Sequence, residues 1–167
     1  MRERASYIRE GLWLRPLEDP TLLRDRHQRA MFEYWLAARD GADLPLPSRI
    51  DPVELPRGCL PYIMVKEHEP GTGRYRTRLT GTAFRDASGF DGTNLYSDEI
   101  LGNAGTLERF NWAVANRQPY WYQGPLSFSV FDYKKFSALV LPFADPGQPV
   151  TRLVAVFDFQ PDRETKP

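Results

Sequence analysis

Five prolines between positions 45 and 61 (Pro45, Pro47, Pro52, Pro56 and Pro61) exclude a long helix from that stretch and divide the chain into a helical front and a strand-rich back. The stretch keeps Ile50, Val53, Leu55 and Leu60 for packing. It therefore reads as a crossing segment within one domain, with a short turn after Asp51-Pro52. Ahead of it, Asp19-Pro20 is a helix start, with the aspartate as N-cap and the proline in the first turn. Leu23, His27, Ala30, Met31, Tyr34, Trp35 and Ala38 follow at helical spacing, and Gly41 stands where a glycine stop belongs. This pattern predicts one amphipathic helix over about residues 20–39. Residues 1–18 mix charges with Tyr7, Ile8, Leu12, Trp13 and Leu14, and read as an arm that packs through Leu12–Leu14, with Trp13 and Leu14 as a candidate interaction surface.

Behind the prolines, Tyr62 to His68 reads as a strand and Pro70-Gly71-Thr72-Gly73 as the turn of a hairpin. The return strand alternates, which predicts Tyr75, Thr77 and Leu79 on one side and Arg74, Arg76 and Arg78 on the other. Residues 83–99, rich in Gly, Asp, Ser, Thr and Asn, predict turns and short helical pieces. Ile100, Leu101, Ala104, Leu107, Phe110 and Val114 predict a second helix ending before Pro119. Tyr120–Gln123, Lys134–Phe143 and Val150–Phe159 are β-branched or aromatic runs separated by turn residues. Hairpins at both ends make the sheet antiparallel and the class α+β. The expected organisation is an arm at 1–18, one domain over 19–160 with its N-terminal helix, and a frayed tail at 161–167.

The chain carries 22 Lys+Arg against 22 Asp+Glu, and this zero balance argues against a nucleic-acid partner, whose phosphates reward a basic excess. The single cysteine, Cys59, allows neither an internal disulfide nor a multi-cysteine metal site, and its apolar setting reads as a buried inert thiol. No run approaches the roughly 18 apolar residues of a membrane span. Met1-Arg2-Glu3-Arg4 leads into no apolar signal segment, so a cytoplasmic location is expected. Nucleophile-elbow, phosphate-loop and histidine-rich metal patterns are all absent from the sequence.

The order of elements over about 110 residues from Leu60 resembles the PAS fold, a five-stranded antiparallel sheet in the order 2-1-5-4-3 with helices on one face. Tyr75-Arg76-Thr77-Arg78-Leu79-Thr80-Gly81-Thr82 resembles the second-strand signature of a stand-alone bacterial PAS family. Gly89-Phe90-Asp91-Gly92-Thr93-Asn94-Leu95 is similar to its following turn, with Asn94 where glycine is expected. Tyr34-Trp35, Arg39, Gly41, Leu44-Pro45 and Asp51-Pro52 resemble the family's opening. The resemblance covers about residues 20–159. It implies a non-catalytic sensory or regulatory domain that often dimerises, receives a small ligand or a protein partner, and acts in signalling.

An axial haem ligand would be a histidine on the helix before the third strand, and neither His27 nor His68 falls there. A flavin adduct needs a cysteine near the pocket helices, whereas Cys59 precedes the first strand. Haem and flavin are thus not expected. Phe84, Phe110, Tyr122 and Phe136, with Tyr96 and Asn111 as polar groups, are the candidates to line a ligand pocket between helices and sheet. A filled aromatic core is the plainer reading of the same residues. Arg76 and Arg78 form a candidate interaction surface, against the plain reading of a solvated strand face. Two other functions fit the element order: a cone-shaped enzyme of the ketosteroid-isomerase type using Asp91, Asp132 or Tyr122, and a ligand-free homodimeric adaptor.

Overall fold

The computed structural model describes the backbone of residues 7–9, 12–16, 19–100, 104–125 and 133–161. The strands are β1 (Tyr7–Arg9), β2 (Leu12–Pro16), β3 (Ile63–Glu69), β4 (Arg74–Thr80), β5 (Tyr120–Pro125), β6 (Tyr133–Phe143) and β7 (Arg152–Pro161). The helices are α1 (Arg26–Ala38), α2 (Thr82–Ser88) and α3 (Ala104–Asn116). All strands join one antiparallel sheet ordered β1-β2-β5-β6-β7-β3-β4. Counted from β3, the five strands β3 to β7 follow the expected order 2-1-5-4-3, and the class is α+β.

Within the stretch expected to be an arm, Tyr7–Arg9 and Leu12–Pro16 instead pair as antiparallel strands. Tyr7 pairs with Leu14 and Arg9 with Leu12, and β2 then extends the sheet by pairing Arg15 with Trp121. The candidate surface residues Trp13 and Leu14 thus sit on β2, inside a paired ribbon. Most of the expected tail lies outside the described residues, and Pro161 still pairs with Tyr133.

The expected first helix splits in two. Asp19 caps a single 3-10 turn at Pro20–Leu22, and Asp25 then starts α1, accepting from the backbone N–H groups of His27 and Gln28. Leu23 between them is extended, so the chain bends before the true helix begins. One face of α1 buries Met31, Phe32 and Trp35 against the sheet, each contributing about 2 kcal/mol. Two polar groups fix its position. Trp35 Nε1 donates to the Pro142 carbonyl at 2.8 Å, and buried Gln28 donates to the Val156 carbonyl at 2.9 Å and to Ser137 Oγ at 3.2 Å. The Gln28 carbonyl in turn accepts from Trp121 Nε1 at 3.3 Å, which joins α1 to three strands at once.

Helices α2 and α3 cover the opposite face. Phe84 of α2 meets Phe157 of β7, and Phe110 of α3 meets Tyr75 of β4. The proline-rich connector folds as short turns along the α1 side, where Leu55 and Cys59 are buried. The thiol of Cys59 is pushed up to about 11 by burial, which keeps it protonated and inert.

One prediction fails at a single residue. Val65 pairs with Leu79 while the next residue, Lys66, pairs with Thr77, so Arg78 is the extra residue of a β-bulge. The bulge breaks the alternation. Tyr75 and Thr77 face α3, whereas Leu79 shares the α1 side with Val65.

Candidate functional site

The sheet face under α2 and α3 is the region where the predicted pocket residues were expected to meet. Strand pairing puts Tyr122 opposite Ala138 and Phe136 opposite Phe159 on that face. Phe84, Phe110 and Phe136 are buried there; Phe84 and Phe136 both meet Phe157, and Phe110 meets Tyr75. Tyr122 stands edge-on to Phe136 at 5.9 Å. The residues therefore meet as a packed aromatic layer. Asn111 reaches it from the exposed side of α3, its side-chain carbonyl accepting from the Tyr75 hydroxyl at 2.8 Å.

Tyr96 does not join them. It lies beyond β4, where it bridges Arg76, and its ring is covered by the guanidinium of Arg74 at 3.7 Å, with that of Arg76 at 5.0 Å. Its hydroxyl donates to Glu69 Oε2 at 2.7 Å, and this bond raises the tyrosine pKa and lowers that of the carboxylate. Arg74 makes a two-point pair with Asp98, both contacts at 2.9 Å. The arginine stripe of β4 is thus a partnered one: Arg74 with Asp98, Arg76 against Tyr96, and Arg78 with Glu67 at 2.7 Å.

Two cations in the aromatic layer escaped the sequence reading. Lys66 of β3 is 5% exposed and its ammonium donates to Thr77 Oγ1 at 2.6 Å and Ser97 Oγ at 2.8 Å. It lies 6.0 Å from the Phe110 ring centre. Burial lowers its pKa from 10.5 to about 8, because the charged form loses hydration and gains no carboxylate. Arg109 of α3 is 7% exposed, stacks 3.5 Å over Tyr122 and donates to Thr106 Oγ1. Neither cation has an acidic partner among the described residues. The only sequence signal for Lys66 was its place between Val65 and Glu67 in a strand flanked by apolar residues. On a half-buried strand that reads as an exposed position.

Beside these cations, Tyr75 and Tyr120 are held well above the usual phenol range by burial, so both remain neutral hydrogen-bonding groups. His68 lies tilted against Tyr75, with ring centres 4.7 Å apart, and its Nδ1 lies 2.9 Å from the Val150 carbonyl. His27 stacks on Tyr62 on the other side of the sheet. No group of three or more His, Cys, Asp or Glu that could hold a metal occurs among the described residues. Of the candidate acids, Asp91 lies at the surface, paired with Arg85 and hydrogen-bonded by Thr93, which lowers its pKa. Asp132 lies outside the described residues.

The residues that flank α2 explain part of the family signature. Gly81 passes so close to the Pro61 and Ile63 carbonyls that a Cβ there would lie 2.2 Å from Pro61 O. Asn94 adopts φ 73°, the left-handed conformation that glycine takes most readily and asparagine tolerates, and its N–H donates to Thr77 O at 2.7 Å.

Among the described residues, no helix is long and apolar enough to cross a membrane. No curated protein and no solved structure matches the chain. A family model described as PAS domain matches residues 23–97, from the turn before α1 through β3, β4 and α2 to the start of the Ser97–Glu99 turn. This match, which covers under half of the chain, and a sheet whose strands follow the order 2-1-5-4-3 with helices packed on its face support a PAS domain superfamily assignment.

Proposed function

We propose that the chain is a non-catalytic regulatory PAS module that takes up a small anion against the face covered by α2 and α3, and passes its state to a signalling protein or a second copy of itself. The observation that carries this reading is the pair Lys66 and Arg109, both buried in an aromatic layer without an acidic partner among the described residues. A buried cation is costly unless paired, and removing it from water yields a strong preference for any anion that can reach it. The hydroxyls of Thr77 and Ser97 already orient the lysine, and Tyr75 and Tyr120 add neutral polar groups nearby. PAS domains are signalling domains in general, so the output falls to a partner. Acid–base chemistry finds less support, since Asp91 is at the surface and Tyr122 is covered by Arg109.

Native mass spectrometry of the purified protein, beside a denatured control and a visible absorbance scan, tests this directly. A retained anionic mass that disappears on denaturation and in Lys66→Met and Arg109→Met is the expected result. A protein without added mass, whose melting temperature is unchanged by phosphate and by small mono- and dicarboxylates, would refute the ligand part.

A further inference from the structure

A concavity lies on the other face of the sheet, on the α1 side. It is a cleft of about 440 Å³ between the proline-rich connector and strands β3, β4 and β7. Ile63 and Val65 form its floor, Ile50, Leu55 and Leu60 its connector wall, and Leu79 lines the β4 side. It owes its shape to two sequence features. The prolines keep the connector from lying down as a strand or helix, and the bulge at Arg78 turns Leu79 into the cleft while bringing Arg78 beside it. Its size falls in the range of roughly 300–1,000 Å³ that small-molecule sites occupy.

Among its lining residues the charged ones are Arg78 and Arg152, and both lean on one carboxylate. Glu67 Oε1 accepts from Arg78 Nε at 2.7 Å, and its Oε2 lies 3.5 Å from Arg152 Nη1. Arg152 Nη1 also donates to Thr151 O at 3.0 Å. Two guanidinium groups share a single negative charge, which leaves a net positive charge at the cleft. Both Nη groups of Arg78, and Nε and Nη2 of Arg152, have no partner among the described residues. Glu67 thus holds two planar donors in place without satisfying them, an arrangement suited to an incoming carboxylate.

We infer that this cleft binds a small amphipathic carboxylate, with its head on Arg78 and Arg152 and its apolar chain along Val65, Leu79, Ile50 and Leu60. Charge complementarity selects an anion, and the recessed apolar floor selects a flexible hydrocarbon chain over a second protein surface. The site lies across the sheet from Lys66 and does not depend on the ligand proposed there.

Decanoate below its micelle concentration is the probe, followed by methyl-resolved NMR on the full chain. Binding should shift the methyl signals of Ile50, Leu60, Val65 and Leu79 and leave those of Met64 and Ala155, on the opposite face, in place. Arg78→Gln at an exposed side chain and Arg152→Gln at a half-buried one, both of which should fold normally by circular dichroism, should each weaken binding about tenfold, the worth of one charge-assisted contact. Leu60→Glu, which sets a like charge at the rim, should abolish it. Equal affinity for decanoate and decanol would overturn the role of the arginines. Shifts centred on Met64 and Ala155, or no shifts at all, would overturn the site, whereas the test at Lys66 would stand unaffected.

Discussion

Lys66→Met separates the energetics of the buried lysine from everything else in the protein. Burial lowers the lysine from 10.5 to about 8. Below the folded value the protein is destabilised by the whole shift, and the penalty fades as pH rises through the window between the two values, vanishing above the unfolded one, where neither state holds the proton. A shift of this size amounts to about 3 kcal/mol at pH 7 and falls to about half of that by pH 9.5. Methionine matches the stem of lysine and can pack on Phe110, but it leaves the Thr77 and Ser97 hydroxyls without their donor, at roughly 1–2 kcal/mol. The variant should therefore exceed the parent in stability by about 1–2 kcal/mol near pH 7, and the gap should close or reverse by pH 9.5. Urea unfolding of both proteins across this window gives the difference, in which the buried tyrosines and every other shared group cancel. A gap that stays constant with pH would show that the folded lysine keeps its ordinary pKa, and so remains charged and hydrated, which would refute its burial as a desolvated cation.

Other outcomes are open to simple measurement. Gly81→Ala should lower stability by about 2–3 kcal/mol in thermal unfolding, because its Cβ meets the Pro61 backbone, which cannot turn aside as a side chain would. Asn94→Gly should leave stability within about 0.5 kcal/mol or raise it, while Asn94→Val should cost 1 kcal/mol or more, since φ 73° suits glycine and not a β-branched residue; equal stabilities in denaturant would contradict that geometry. Gln28→Ala should lose about 2–4 kcal/mol, as it strips donors from the buried Ser137 and Val156 groups and opens a small void. Cys59, buried and with its pKa raised to about 11, should resist alkylation at pH 8 in the native protein and react promptly in urea; rapid native labelling would place the thiol in solvent.

Periodicity revealed α1 and α3, and alternation revealed β4, while β3, β6 and β7, buried largely on both faces, showed themselves as continuous apolar runs. It failed where a strand's geometry departs from its period. The alternation of Tyr75, Thr77 and Leu79 continues evenly in the sequence, yet the bulge at Arg78 sends Leu79 through to the other face. The pairing of β1 and β2 escaped for a different reason. Pairing with β5 is a long-range event, and the charges around Tyr7 and Leu12 mask any strand pattern. Within the site, Phe84, Phe110, Tyr122 and Phe136 were legible as aromatic positions facing a sheet. Tyr96 was misplaced because a turn-rich segment carries no periodicity to orient it, and the cation–π contact with Arg74 that holds it outside is a pairing distant in sequence. Lys66 was invisible, since a charged residue in a strand is assigned to solvent unless its surroundings are known.

The sheet order carries a consequence for how the chain reaches this state. β7 lies between β6 and β3, so Ile63 pairs with Val156 and Glu67 with Arg152, contacts that span most of the chain. Until β7 is made, β3 and β4 can form only an isolated hairpin, which is marginal at best in water, and α1 has no Val156 carbonyl to receive Gln28. On the ribosome the front of the protein therefore waits, with Phe32, Ile63 and Val65 uncovered, for the last strand to emerge and close the sheet in one step. Such a topology folds slowly for its size and leaves apolar surface open to aggregation in that interval.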